Sequence, residues 1–126
     1  MTTKHKDIIA LAGRVLVGGL FVYAGWVKLA DMASTVGFFQ QLGIVAFLAY
    51  AVSIAEFVGG LLIILGLWAR VAGVVLAVIM LGAIWYGRTM GAQGMMPPVG
   101  ILSALLLLIA HGAGIWSLGA RFFKRA

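Results

Sequence analysis

The sequence predicts an all-α integral membrane protein, a single transmembrane domain over residues 1–126 folded as a four-helix bundle with both termini cytoplasmic. Three observations predict it. First, 64% of the residues are hydrophobic and 10% are charged, with a mean hydropathy of +1.18. A soluble domain of this size has too little interior to hide that much apolar surface. Second, the apolar residues fall in four blocks, each close to the ~20 residues a helix needs to cross ~30 Å of hydrocarbon. Third, the cations cluster toward one end of those blocks. Helices rather than strands follow, because an open sheet would leave backbone groups unsatisfied in lipid.

The first span covers about 8–30 (IIALAGRVLVGGLFVYAGWVKLA). The basic Met1–Asp7 segment before it resembles the start of a signal peptide, but the apolar run is too long for one and no clear cleavage site follows. Asp31–Gly43 (DMASTVGFFQQLG) reads as a loop, with Phe38 and Phe39 lying at the interface in a short amphipathic turn. The second span is about 44–67 and the third about 70–88; Trp68-Ala69 between them is so short that the two must form a tight antiparallel hairpin. Thr89–Met96 is a Gly/Met-rich link, and Pro97-Pro98 suits the start of a fourth span at about 97–120, where the missing N–H groups cost nothing.

With four spans both termini share a side. That side carries Lys4, Lys6, Arg70, Arg121, Lys124 and Arg125, against Lys28 and Arg88 on the other, so the positive-inside rule places the termini in the cytoplasm. The net charge of +6 is therefore topological, and without a basic groove or motif it points to no nucleic-acid partner. Trp26, Trp68, Trp85, Trp116 and Tyr86 fall toward span ends, as belt aromatics do. Small residues recur every four positions, at Ala51, Ala55 and Gly59 in the second span and at Ala69, Gly73 and Ala77 in the third. Such stripes serve close helix packing within the bundle or between copies in a homo-oligomer.

The chain has no cysteine, which excludes thiol chemistry and Cys-ligated clusters or zinc. Its two histidines, His5 and His111, lie at different depths and cannot together hold a haem. Asp7 and Asp31 fall on opposite membrane surfaces, so no two-carboxylate metal site is expected.

Three ionisable residues on three different spans fall at similar depth. At ~1.5 Å of rise per residue from the cytoplasmic side, Arg14 lies about 9 Å in, His111 about 13 Å and Glu56 about 16 Å. An arginine can bridge such a gap and meet a carboxylate with two N–H donors. The expectation is a buried polar network of Arg14, Glu56 and His111, in which the Arg14–Glu56 pair either carries function or fixes helix register. Lys28, about 14 Å farther along the axis, is the poorer partner and snorkels outward. His111 could relay a proton, bond a quinone carbonyl or simply be satisfied by the backbone. Tyr23, Ser53, Trp85 and Ser103 fall nearer the outer half, either lining a small-molecule pocket with His111 or acting as packing and belt residues.

Several runs together resemble the DoxX family of small four-helix bacterial inner-membrane proteins: RVLVGGLF from Arg14 to Phe21, AGWVK ending at Lys28, EFVGGLL from Glu56, GLWAR ending at Arg70, and MLGAI from Met80. Lys28 and Arg70 are then family motif charges. The resemblance implies a multi-pass protein of the bacterial inner membrane, in contact with lipid. It implies a quinone-associated subunit of a membrane oxidoreductase system, working with a larger redox enzyme and holding no covalently bound cofactor, at most a quinone. A second reading is a non-catalytic assembly or scaffold partner for another membrane protein. A third, suggested by size and span number, is a proton-coupled small-molecule exporter; Arg14 at nearly the depth of Glu56 argues against it, since the acid of such an exporter must be free to exchange its proton.

Overall fold

The computed structural model describes residues 3–111. Among these residues the chain is entirely helical: α1 (Thr3–Ala30), α2 (Met32–Gln41), α3 (Ala46–Leu65), α4 (Ala69–Gly87), a 3-10 turn (Arg88–Met90) and α5 (Ala92–His111). Four of these helices, all but α2, are long and apolar enough to cross a membrane. α1 packs along α3, α3 along α4 and α4 along α5, while α1 and α5 barely touch. The core lies where α1, α3, α4 and α5 meet, around Phe21, Ile63, Ala72, Leu76, Met80 and Leu105.

The packing follows a heptad rhythm. The side of α1 against α3 carries Arg14, Gly18, Phe21, Gly25 and Lys28, at alternating spacings of four and three. α3 answers with Ala49, Ser53, Glu56, Gly60 and Ile63 at the same spacings, and α4 with Ala69, Gly73, Leu76 and Met80. This repeat keeps one seam facing the neighbour over the whole helix length. Glycines set the register. A Cβ at Gly60 would lie 2.6 Å from the Gly18 carbonyl oxygen and 2.7 Å from the Val22 nitrogen, and one at Gly25 would lie 2.5 Å from the Phe57 nitrogen. Backbones approach this closely only where side chains are absent. Of the two expected small-residue stripes, Ala69, Gly73 and Ala77 are all buried. In α3 the buried stripe is offset from the expected one: Ala51 is exposed, and Gly59 alone of Ala51, Ala55 and Gly59 is fully buried.

Two stretches differ from the expected organisation. Most of the 31–43 segment is helix α2, not loop. Asp31 caps it: one carboxylate oxygen accepts from the Ser34 backbone N–H at 3.2 Å and the other from the Ser34 hydroxyl at 2.8 Å. Gly43, at φ 82°, then ends the helix, with its N–H on the Gln40 carbonyl and that of Ile44 on the Phe39 carbonyl. An acid with serine three residues on is a helix-start signal, and a glycine after the last turn is a stop. α5 begins at Ala92, so Pro97 and Pro98 lie inside it rather than at its start. Both fall in its second turn, where their absent N–H groups leave the Gln93 and Gly94 carbonyls without their usual intrahelical donors. The Gly94 carbonyl oxygen turns against Gly87, where a Cβ would collide with it.

The expected hairpin forms. Gly66, at φ 71°, closes α3, with its N–H on the Ile63 carbonyl and that of Leu67 on the Leu62 carbonyl. Trp68, at φ 50°, opens α4. The part of the fourth span beyond His111, with Trp116, Arg121, Lys124 and Arg125, lies outside the described residues.

Candidate functional site

Glu56 is 3% exposed, at the middle of α3. Its partner is Lys28. The lysine Nζ lies 2.9 Å from Oε1 and donates to Oε2 at 3.1 Å, so one ammonium serves both carboxylate oxygens. The Arg14–Glu56 pair expected from depth is therefore replaced by Lys28–Glu56, and Lys28 reaches inward instead of snorkelling out.

Two physical reasons account for the exchange. The first is register. Gly18 lies against Gly60 and Ile64, and Gly25 against Phe57. Extending that antiparallel match places Arg14 near residue 66 of the neighbouring chain segment, about 15 Å along the axis from Glu56. The second is side-chain direction. Cα–Cβ bonds tilt toward the N-terminus of their own helix. On antiparallel α1 and α3 this sends Arg14 away from Glu56, while Lys28 and Glu56 lean toward each other. Arg14 is buried at 5% exposure on the same seam, nearer the α3–α4 turn.

The pair is asymmetric in its access. The lysine side chain is 29% exposed and the glutamate side chain 4%. An ammonium has three donors, and two of them can be used by the carboxylate oxygens. The third can face the partly open side. The Lys28 carbonyl also accepts a 3.0 Å bond from the Thr35 hydroxyl, which ties α2 to the end of α1 beside the pair.

The other candidate residues do not converge on this centre. His111 is exposed and sits at the level of Arg70, whose Nη2 donates to the Ala110 carbonyl at 3.3 Å. It therefore lies outside the Glu56 centre, since α4 and α5 run antiparallel and Glu56 is level with about Leu102, some 13 Å away along the axis. Ser53 is fully buried, and its hydroxyl donates to the Ala49 carbonyl of its own helix at 2.7 Å. The Ser103 hydroxyl does the same to Val99 at 2.9 Å, on an exposed face. Tyr23 and Trp85 are 70% and 58% exposed. Of the expected pocket, only Ser53 is therefore interior. The serines are satisfied within their own helices and the aromatics are turned outward, which is the packing-and-belt arrangement. Among the described residues no group of three or more His, Asp or Glu is placed to hold a metal ion.

Depth reckoning missed the partner of Glu56, but the signal was present. Lys28 and Glu56 are the pair toward which side-chain tilt on antiparallel helices points. Arg88, stacked 3.6 Å over the Trp85 ring, was equally legible as a cation three residues after an aromatic.

The DoxX family model matches residues 9–89. Inner membrane protein YqjF of Escherichia coli (strain K12) is 30% identical over 127 aligned residues, covering 97% of this chain and 98% of the relative. Uncharacterized membrane protein Rv3486 of Mycobacterium tuberculosis is 35% identical, over 90% of this chain and 80% of its own length. Putative oxidoreductase CatD of Bacillus subtilis is 37% identical over 81 residues, 64% of this chain; the match spans only 60% of CatD. No solved structure matches. The family match takes in the glycine seam and both members of the ion pair, and the chain belongs to the DoxX family of membrane proteins, with the bacterial inner membrane as its location.

Proposed function

We propose that this protein is a non-autonomous membrane subunit of an oxidoreductase system, and that Lys28 offers a hydrogen bond to the carbonyl of a bound quinone. The observation that carries the reading is the Lys28–Glu56 pair, with its acid sealed and its ammonium 29% exposed. Charges at membrane depth are expensive and mark functional positions. Here the charges cancel, so the site presents a strong donor without a net charge. A neutral, lipid-soluble acceptor suits such a site. The relative CatD, named a putative oxidoreductase, supports a redox association. The chain's lack of cysteine leaves electron transfer to the quinone or to a partner enzyme. In this reading the end bearing Lys4, Lys6 and Arg70 faces the cytoplasm, as the cation count supports.

The test is binding of photoreactive ubiquinone and menaquinone analogues to the purified protein in nanodiscs. Wild type should label near α1 and α2. The double variant Lys28→Met/Glu56→Leu, which removes both charges together and so spares the fold, should not label. Equal labelling of the two proteins would end this reading.

A further inference from the structure

We propose that the outward face of α4 is a seat for one phospholipid, with Arg88 holding its phosphodiester and an acyl chain lying along the stripe below. This inference is independent of the quinone reading and concerns another face of the molecule.

The stripe has a heptad spacing of its own, opposite to the buried seam. Val71, Val74, Val78, Leu81 and Trp85 recur at steps of three and four, and their exposures are 65%, 48%, 62%, 57% and 58%. The next step of three reaches Arg88. The stripe thus runs straight down α4 for about 20 Å, from the hairpin end to the far end. Beside Leu81 a Cβ placed on Gly82 would meet nothing within 4 Å, so the surface has a notch where an acyl chain can sit.

The far end of the stripe is a clasp. The Arg88 guanidinium carbon is 3.6 Å from the centre of the Trp85 ring, a distance at which the guanidinium uses a face on the indole and keeps its N–H edge for other partners. No hydrogen bond or ion pair among the described residues occupies that edge. The chain has three acids in all. Glu56 is taken by Lys28, Asp31 by Ser34, and Asp7 lies near the opposite end of α1. α4 is 19 residues long, about 28 Å, so Arg88 follows directly after a membrane-spanning length of helix. That depth is where phosphates of one leaflet lie. A planar donor fork pinned on an indole suits a phosphodiester, and the apolar stripe continuing from the same indole suits a chain attached to it. Free phosphate satisfies the clasp but leaves the stripe unused, which is why a lipid is the occupant.

The experiment uses the full chain, purified from a bilayer containing equal amounts of phosphatidylglycerol, phosphatidylethanolamine and a phosphate-free galactosyl diacylglycerol. Native mass spectrometry then counts retained lipids after mild delipidation. Wild type should retain one phospholipid in preference to the galactolipid. Arg88→Gln should lower that retention about fivefold, the loss expected for one cation at a membrane surface. Gly82→Leu fills the notch without touching the charge and should also lower it. Inorganic phosphate in the millimolar range should not compete. Unchanged retention in Arg88→Gln, or equal retention of galactolipid by wild type, would overturn the proposal. So would full competition by phosphate with Gly82→Leu unaffected, which would leave a site for free anions. Arg88 is exposed and a Cβ at Gly82 meets nothing within 4 Å, so thermal melts of the two variants should match wild type; a variant that does not melt like wild type is replaced by Arg88→Lys, which should retain an intermediate amount.

Discussion

Lys28 Nζ stands 2.9 Å from Glu56 Oε1, joining the last turn of α1 to the middle of α3 across a seam made close by glycine. The lysine and the acid are 28 residues apart in the chain, and each leans toward the other because their helices are antiparallel. An ammonium within one hydrogen-bond length offsets part of the desolvation cost of burying this acid.

Removing one partner of this pair should destabilise the fold more than removing both. Lys28→Met strands the sealed carboxylate and should cost about 2–4 kcal/mol, at the lower side for a buried pair because the lysine is partly open. Lys28→Met/Glu56→Leu should recover most of that loss. Melts of the two singles and the double in one detergent measure the coupling. The same cycle on Arg14→Met and Glu56→Leu should be additive, and a coupling above ~0.5 kcal/mol there would contradict the register described above.

Glycine substitutions should separate the seam from the outward faces. Gly60→Ala forces a Cβ to within 2.6 Å of the Gly18 carbonyl oxygen and should destabilise by about 1–3 kcal/mol as α1 and α3 are pushed apart. Gly13→Ala and Gly19→Ala meet nothing within 4 Å and should be neutral or slightly stabilising through helix propensity. A melt series of the three proteins decides it; equal losses at all three would mean the seam is not the tight contact.

The α2 cap should be pH-sensitive. The Ser34 hydroxyl, followed by the Ser34 backbone N–H, holds the Asp31 carboxyl below its ordinary value of 3.8. A group depressed in the folded state contributes its full stabilisation above the unfolded value and loses it as pH falls through the folded value. α2 amide protection should therefore be flat from neutral pH down to about 4 and fall below it. Asp31→Asn, which keeps a capping oxygen without the titration, should flatten the profile. Hydrogen exchange of the 34–41 amides, corrected for intrinsic rates, reads this directly.

The junction of α4 and α5 should be intolerant of a single methyl group. Gly87→Ala places a Cβ against the Gly94 carbonyl oxygen, a backbone atom that moves only if the start of α5 moves with it. The expected loss is about 1–3 kcal/mol. Restoring a donor for that carbonyl by Pro98→Ala should partly offset it, since the oxygen can then turn back into α5. Additive behaviour of the two substitutions would show that the carbonyl is not held at Gly87.

The sequence by itself determined the fold class, four spans, a tight hairpin between the second and third of them and the identity of the buried acid. Those depend on hydropathy blocks and turn chemistry, which are local in the chain. It also carried the α2 start at Asp31 and Ser34 and the stop at Gly43, although a short helix between spans is easily read as a loop. Only the tertiary structure decided that Lys28, not Arg14, answers Glu56, that His111 stands apart, and that Tyr23 and Trp85 face outward. Depth along a helix is a sum over one chain segment, but partnership depends on how two helices slide and turn against each other. Here that register is set by Gly18, Gly25 and Gly60, where the absence of side chains lets backbones meet at one offset.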